Sequence, residues 1–245
     1  MGSHSFPVSR LPFPGIRAVF FDAGATLIHP DPPVEEVYAR EFSDGRARFS
    51  PEQLSRALTR AWEQVHAEKT RDRYGGVRGE PDFWRAFLNR VRGYLDGVAV
   101  SAEVFSRLAS HFSQASSWVI YEDVRPALEA LSRRGLLLAV VSNWDSQLPG
   151  LLEGLGLASN FRVVSVSAIE KIGKPEPEIF LRTCAKLGVS AAEALHVGDS
   201  LIEDYEGARA AGLSALLLDR ENRFPGRVPF IRSLEELPSR IGSAA

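Results

Sequence analysis

The chain has 245 residues, 44% of them hydrophobic and 24% charged, with a net charge of -2 and a pI near 6.2. That balance excludes the disordered and fibrous classes, and it leaves neither a basic field for nucleic acid nor an acidic tail for a basic partner. No run of eighteen apolar residues occurs, and Pro7, Pro12 and Pro14 interrupt the opening stretch where a secretory signal needs an apolar core, so a cytoplasmic protein with no membrane partner is expected.

The first predicted element is a strand. Ala18-Val19-Phe20-Phe21-Asp22 is a short apolar run that ends on a carboxylate, as suits a strand buried on both faces, and Ala23-Gly24-Ala25-Thr26 follows as a loop. From about Pro30 to Ser116 the character changes to helical. Ser50-Pro51-Glu52-Gln53 carries the N-cap, N1 proline and N3 glutamine of a helix start, and Leu54, Leu58, Ala61 and Val65 continue one face. Phe83, Trp84, Phe87, Leu88 and Val91 form a second amphipathic set, and Val104, Phe105, Leu108 and Phe112 a third. A helical insertion with its own aromatic core, entering just after a loop that carries a carboxylate, is placed to act as a lid. Trp62, Tyr74, Arg78, Trp84 and Arg85 are candidates to line its inner face. The segment Tyr74-Gly75-Gly76-Val77-Arg78-Gly79 is either a loop that reaches the site or a helix connection.

Four more apolar runs predict strands: Leu136 to Val141, Arg162 to Val166, Ala194 to Val197 and Ser214 to Leu218. Helices fall between them, one marked by Val124, Leu128 and Leu131 before Gly135, another by Leu148, Leu151, Leu152 and Leu155. The lone cysteine, Cys184, lies in an apolar helical pattern with Phe180 and Leu187, which predicts a small buried side chain and suits a reducing compartment. Strands alternating with helices predict an α/β fold, a doubly wound parallel sheet of the Rossmann-like kind. The expected core comprises residues 12–29 and 117–240, and the expected all-helical cap domain residues 30–116.

In such sheets ligands bind outside the carboxyl ends of the strands. The residues there and in the loops beyond are Asp22, Ser142, Asn143, Lys174, Asp199 and Asp204. Three carboxylates can hold a hard cation with one of them free to attack, and a hydroxyl, an ammonium and amides remain for anionic oxygens, which is a set suited to phosphoryl transfer. Lys174 is one of four lysines against twenty-five arginines, which makes a generic surface role less natural; Lys171 is expected to be exposed. Asp145 is expected to cap the following helix. Glu203 is either a support for this site or a solvent-facing charge.

Val19-Phe-Phe-Asp-Ala-Gly-Ala-Thr-Leu27, Val141-Ser-Asn143, Lys171-Ile-Gly-Lys-Pro-Glu-Pro-Glu-Ile-Phe180 and His196-Val-Gly-Asp-Ser-Leu-Ile-Glu-Asp204 with Gly207-Ala208 resemble, in order, the four motifs of the haloacid dehalogenase (HAD) superfamily. The resemblance extends to the poorly characterised HAD domain-containing proteins across Val141-Ser-Asn-Trp-Asp145. It implies a Mg²⁺-dependent hydrolase, a phosphatase acting on a small phosphorylated metabolite, in which Asp22 forms an aspartyl-phosphate that water hydrolyses. Ser142 and the Asn143 amide would hold phosphoryl oxygens, and Lys174 would neutralise charge and position Asp22. Asp22, the carbonyl of Gly24, Asp199 and Asp204 would hold the metal, and Thr26 would order the loop at the phosphate site. Oligomeric state, monomer or homodimer, is left open.

The sequence departs from that pattern at Gly24, where hydrolytic relatives place a second Asp as general acid and base. Its loss costs on the order of 10²–10⁴ in rate. Three alternatives follow: a catalytically impaired metabolite-binding or regulatory protein, a haloacid dehalogenase that attacks carbon without metal, and a phosphonatase-like enzyme using Lys69 of the insertion for a Schiff base. His29, Asp31 and His111 are further candidate proton donors.

Overall fold

The computed structural model describes residues 13–43, 48–68, 70–224 and 226–242. Among them run β1 (Ala18–Phe21), β2 (Ile28–Pro30), β3 (Trp118–Ile120), β4 (Leu137–Ser142), β5 (Val163–Val166), β6 (Ala194–Gly198), β7 (Ser214–Leu218) and β8 (Phe230–Ile231). Six strands form one parallel sheet in the order β5-β4-β1-β6-β7-β8. The chain winds from β1 outward through β4 to β5, then returns to the other side of β1 for β6 to β8. β1 is therefore central, flanked by β4 and β6, and Phe21 pairs with Val140 on one side and Val197 on the other. That register delivers Asp22, Ser142 and Gly198 to the same edge of the sheet.

Alternation along the strands sorts side chains onto two buried faces. Val19, Phe21, Leu138, Val140, Leu195, Val197, Leu216 and Leu218 share one apolar cluster; Ala18, Phe20, Ala139, Val141, Ala194 and Ala215 belong to the other. The helices α1 (Val34–Phe42), α2 (Pro51–Ala67), α3 (Glu80–Gly93) and α4 (Ala102–Phe112) precede α5 (Val124–Arg133), α6 (Leu148–Gly154), α7 (Ser167–Glu170), α8 (Pro177–Leu187) and α9 (Gly207–Ala210) between the strands, and α10 (Leu237–Arg240) follows β8. Leu128 and Leu131 of α5, Leu148 and Leu152 of α6 and Leu237 of α10 cover the first face, while Phe180 and Cys184 of α8 and Ala208 of α9 cover the second. Cys184 is buried and free. The doubly wound α/β fold expected from the alternation is the one observed.

Helices α1 to α4 pack on one another through Val37, Tyr38, Phe42, Leu54, Leu58, Ala61, Phe87, Leu88, Val91 and Leu108, a third cluster separate from the two on the sheet. Helix α2 begins with the expected capping box: Gln53 N donates to Ser50 Oγ at 3.3 Å and Ser50 N to Gln53 Oε1 at 2.8 Å. The chain leaves for these helices through β2 and returns through β3, which pair antiparallel, Ile28 with Ile120 and Pro30 with Trp118. This ribbon escapes sequence reading because its strands are three residues long, contain His29 and Pro30, and meet only across the whole insertion. β8 escapes because two residues carry no period. No helix among the described residues is long and apolar enough to cross a membrane.

Candidate functional site

Asp22 follows the central strand, and its own amide donates to Val197 O at 3.0 Å, which pins the loop to β6. Its Oδ1 accepts from Ser142 Oγ at 2.9 Å and from Lys174 Nζ at 2.6 Å. Both bonds fall on one oxygen, and among the described residues no donor reaches Oδ2. Lys174 Nζ also donates to Asp204 Oδ1 at 2.5 Å, so one buried ammonium ties the first, third and fourth sequence motifs together. Asp204 sits on a π-helical turn (Leu201–Glu206), as unusual helical turns at sites often do. Its Oδ2 accepts from Ser200 N at 2.9 Å, and its Oδ1 bonds His196 Nε2 at 2.8 Å. Gly198 makes this approach feasible, since a Cβ there would stand 2.2 Å from Asp204 Cγ.

The electrostatics follow from burial. Asp22, Asp199 and Asp204 each present a carboxylate oxygen within 4.8 Å of the others, against the Lys174 ammonium and an Arg223 guanidinium, Nη2 of which lies 3.1 Å from Asp199 Oδ2. Burial raises the Asp22 carboxyl above its ordinary range, with Lys174 opposing. Burial would raise Asp204 too, but Lys174 and the bond from His196 hold it well below the ordinary range. Lys174 is held above the usual ammonium range, since its two carboxylate partners outweigh desolvation. Burial, then the charges of Asp22 and Asp204, push Asp199 up to about 7. A group of three oxygen donors whose last member resists ionisation is a donor set that a hard divalent cation would satisfy.

The Asn143 side chain braces Lys174. Its side-chain oxygen accepts from Lys174 N at 2.8 Å, and its Nδ2 donates to Lys174 O at 2.8 Å and Glu203 Oε2 at 2.9 Å. The side-chain amide is thus committed to holding Lys174 in place. The Thr26 hydroxyl is fully buried and, among the described residues, has no partner and makes no bond to Asp22, Ser142 or Lys174, while its carbonyl accepts from Arg220 Nη2 at 2.9 Å. Glu203 is no solvent-facing charge: it also accepts from Arg73 Nη2 at 2.7 Å and meets His66 Nε2 at 3.3 Å. Burial would raise its carboxyl, yet His66, Arg73 and Lys174 bring it down to about 2.

Arg73 and His66 belong to the helical insertion, so Glu203 joins it to the sheet. Two further ties do the same. Glu80 at the start of α3 accepts from Ser146 N at 2.7 Å and Ser146 Oγ at 2.8 Å, and Asp145 Oδ2 accepts from Trp84 Nε1 at 2.9 Å. Asp145 Oδ1 takes Gln147 N at 3.1 Å, just ahead of α6, and no side chain caps that helix. The segment after α2 also reaches the sheet: Gly173 N donates to Arg71 O at 3.1 Å, and Gly76 packs against exposed Lys171. None of these ties is legible in the sequence, because each joins residues far apart along the chain.

At residue 24 the backbone does not demand glycine. A Cβ there would instead lie 3.1 Å from Trp144 Cζ3, so the indole occupies the ground that a side chain would need. Trp144 also walls a cavity of about 280 Å³ between α1 to α4 and the loop after β4, with Trp62, Tyr74, Trp84, Phe87 and Phe105 around it and Asn143 and Asp145 at the sheet end. Trp62, Tyr74 and Trp84 line it as expected; Arg78 and Arg85 do not, both being exposed, with the Arg85 guanidinium 4.6 Å over Phe105. His29 bonds Pro30 O at 3.2 Å and His111 meets Ser117 Oγ at 3.4 Å, and among the described residues neither histidine nor Asp31 makes a hydrogen bond to the acidic group. Lys69 lies outside the described residues.

A family model for haloacid dehalogenase-like hydrolases matches residues 16–212. The zebrafish (Danio rerio) haloacid dehalogenase-like hydrolase domain-containing protein 3 is 30% identical over 235 residues, covering 92% of this chain and 96% of that protein. A protein of Methanopyrus kandleri named glyceraldehyde 3-phosphate phosphatase is 29% identical over 216 residues, covering 84% of each. Among solved structures, a HAD phosphatase from Thermococcus onnurineus superposes with a TM-score of 0.65 at 27% identity, covering 94% of this chain and 99% of that one.

Proposed function

The chain belongs to the haloacid dehalogenase-like hydrolases, and from that membership we propose that it is a Mg²⁺-dependent phosphatase acting on a small phosphorylated molecule, with Asp22 as nucleophile. One observation carries this reading. Ser142 and Lys174 both grip Asp22 Oδ1, Oδ2 takes no protein donor among the described residues, and Asp199 and Asp204 stand beside it.

In the proposed reaction Asp22 Oδ2 attacks phosphorus and forms an O–P bond as the bond to the leaving oxygen breaks, the electron pair departing with that oxygen. The Lys174 ammonium, with one N–H beyond its bonds to Asp22 and Asp204, holds a phosphoryl oxygen, and the Ser142 hydroxyl turns from Asp22 Oδ1 to hold another, so that both offset the phosphoryl charge. Asn143 holds the backbone of Lys174 and so acts as a positioning residue. Water then attacks phosphorus, the bond to Asp22 breaks with its electron pair returning to Oδ2, and phosphate leaves with the oxygen and one proton of that water, the other proton passing to solvent. Asp22, the Gly24 carbonyl, Asp199 and Asp204, the last directly or through water, would hold Mg²⁺, which supplies positive charge to the phosphoryl oxygens when bound. His196, whose pKa burial lowers, is neutral and donates Nε2–H to Asp204. Thr26, fully buried, supports the loop. Helices α1 to α4, within residues 30–116, act as the cap over a core of residues 12–29 and 117–240.

Acetyl phosphate tests the reading, since its leaving group departs without a proton. Mg²⁺-dependent phosphate release is expected, and borohydride reduction of a quenched turnover should convert residue 22 to homoserine. Asp22→Asn should lower the rate by about 10⁴-fold. Release that continues undiminished in this variant, or none from the parent, would overturn the assignment. Gly24 under Trp144 favours slow turnover of substrates whose leaving group needs protonation.

A further inference from the structure

We propose that the cavity under α1 to α4 receives an aromatic leaving group, so that the substrate class is aryl phosphate monoesters; the inference rests on the phosphatase reading for its chemistry and on the cavity for its binding. Two independent features of the molecule lead to the same class.

The first is the cavity. Its volume is about 280 Å³, and Trp62, Tyr74, Trp84, Phe87, Phe105 and Trp144 are among its walls. A void of roughly 150 Å³ already accommodates benzene, so this one has room for a substituted ring or a fused pair. The rings present themselves at several orientations, Trp62 and Phe87 tilted by 42° with centroids at 4.4 Å and Trp62 and Trp84 perpendicular at 6.2 Å, which suits the offset and edge contacts of a flat guest. Asn143 and Trp144 form its sheet end, directly after Ser142, which donates to Asp22, and Trp144 also lies against Gly24, so the sheet end of the cavity borders the loop that carries Asp22. The carboxylate in the wall, Asp145, has Oδ1 taken by Gln147 N and Oδ2 by Trp84 Nε1. With both oxygens engaged, Asp145 is committed to holding Trp84 and the start of the following helix, and the ring walls are left to meet the guest.

The second is the missing proton donor. Residue 24 is glycine, and Trp144 stands 3.1 Å from the position a side chain would begin to occupy. As Asp22 forms its bond to phosphorus, the leaving oxygen must carry its electron pair away unprotonated. A phenol ionises near pH ~10, and its oxygen leaves as phenolate far more readily than an alcohol leaves as alkoxide. The feature that penalises alkyl phosphates thus spares the compounds whose organic part fits the aromatic walls.

Binding and turnover test the inference separately. Tryptophan fluorescence titrations in Mg²⁺ should show phenylphosphonate, which cannot be hydrolysed, binding about tenfold or more tightly than methylphosphonate. Ala109→Trp, which adds an indole at the cavity wall without deleting a core side chain, should erase that advantage. In turnover, kcat/KM for phenyl phosphate should exceed that for ethyl phosphate by about 10²-fold or more. Equal affinities for the two phosphonates, or tighter binding of phosphocholine than of phenylphosphonate, would overturn the inference. If acetyl phosphate, phenyl phosphate and ethyl phosphate all resist hydrolysis, the phosphatase reading fails by itself, and the ratio of phosphonate affinities still decides what the cavity binds.

Discussion

The charged floor at the ends of β1, β4 and β6 and the aromatic cavity beneath α1 to α4 lie next to each other and are built by opposite means. On the floor, Lys174, Asp204 and Asn143 each make several hydrogen bonds to groups that the sheet register has already placed. In the cavity, indole and phenyl rings meet at angles from 42° to 89°, and the Trp84–Asp145 bond is one of few polar anchors. A buried polar network tolerates little displacement, because each broken bond leaves a desolvated group unpaired, whereas apolar walls tolerate changes of volume at lower cost. The contrast teaches that chemistry and selectivity are held by separate materials, so that the second can vary while the first stays intact.

Removing the hub of the floor should break the comparison most sharply. Lys174→Met leaves the Asp22 and Asp204 carboxylates buried without their shared cation, a loss of about 3–5 kcal/mol in stability and roughly 10²–10³ in kcat. Chemical denaturation and acetyl phosphate turnover measure the two; a variant as stable and active as the parent would show that the ammonium is not the hub.

Residue 24 lies on the seam between the two regions. Gly24→Asp alone should leave ethyl phosphate hydrolysis unchanged, because the new side chain meets the Trp144 ring. Gly24→Asp combined with Trp144→Ala should raise it by about 10²-fold, as a proton donor gains room. Restoration by the single variant would show that the indole is no obstacle.

The smallest effect concerns Asp199 in metal-free protein. Burial, Asp22 and Asp204 raise its folded pKa to about 7 from 3.8, so over that window the folded chain keeps a proton that the unfolded chain has lost. Its contribution to stability therefore falls as pH rises from about 4 to 7 and is constant above. With chelator at pH 8, Asp199→Asn should raise Tm by about 3–6 °C, the gain shrinking as pH approaches ~4, and saturating Mg²⁺ should reverse the order. A variant less stable than the parent at pH 8 in chelator would show that the acidic group carries no uncompensated repulsion.

The core was legible in the sequence where its signals are local. The apolar runs Ala18 to Phe21 and Leu136 to Val141 read as strands buried on both faces, and each is followed by a residue that enters the site. The α2 capping box is likewise complete within four residues. The β2 and β3 ribbon was not legible, nor were the ties from Arg73 and His66 to Glu203, because their partners are remote in sequence. Arg85 was expected to line the cavity beside Trp84, but adjacent helical residues point about 100° apart, and the face that α3 turns inward is set by what it packs on.

What the sequence by itself determined is the sheet and the acidic and basic residues at its carboxyl edge, since strand period and strand ends are properties of a few consecutive residues. What only the tertiary structure decided is that the Asn143 side chain holds Lys174, that Trp144 stands beside Gly24, and that an aromatic cavity opens next to them. These depend on distances between side chains brought together from separate segments, and such distances exist only once helices and sheet have packed.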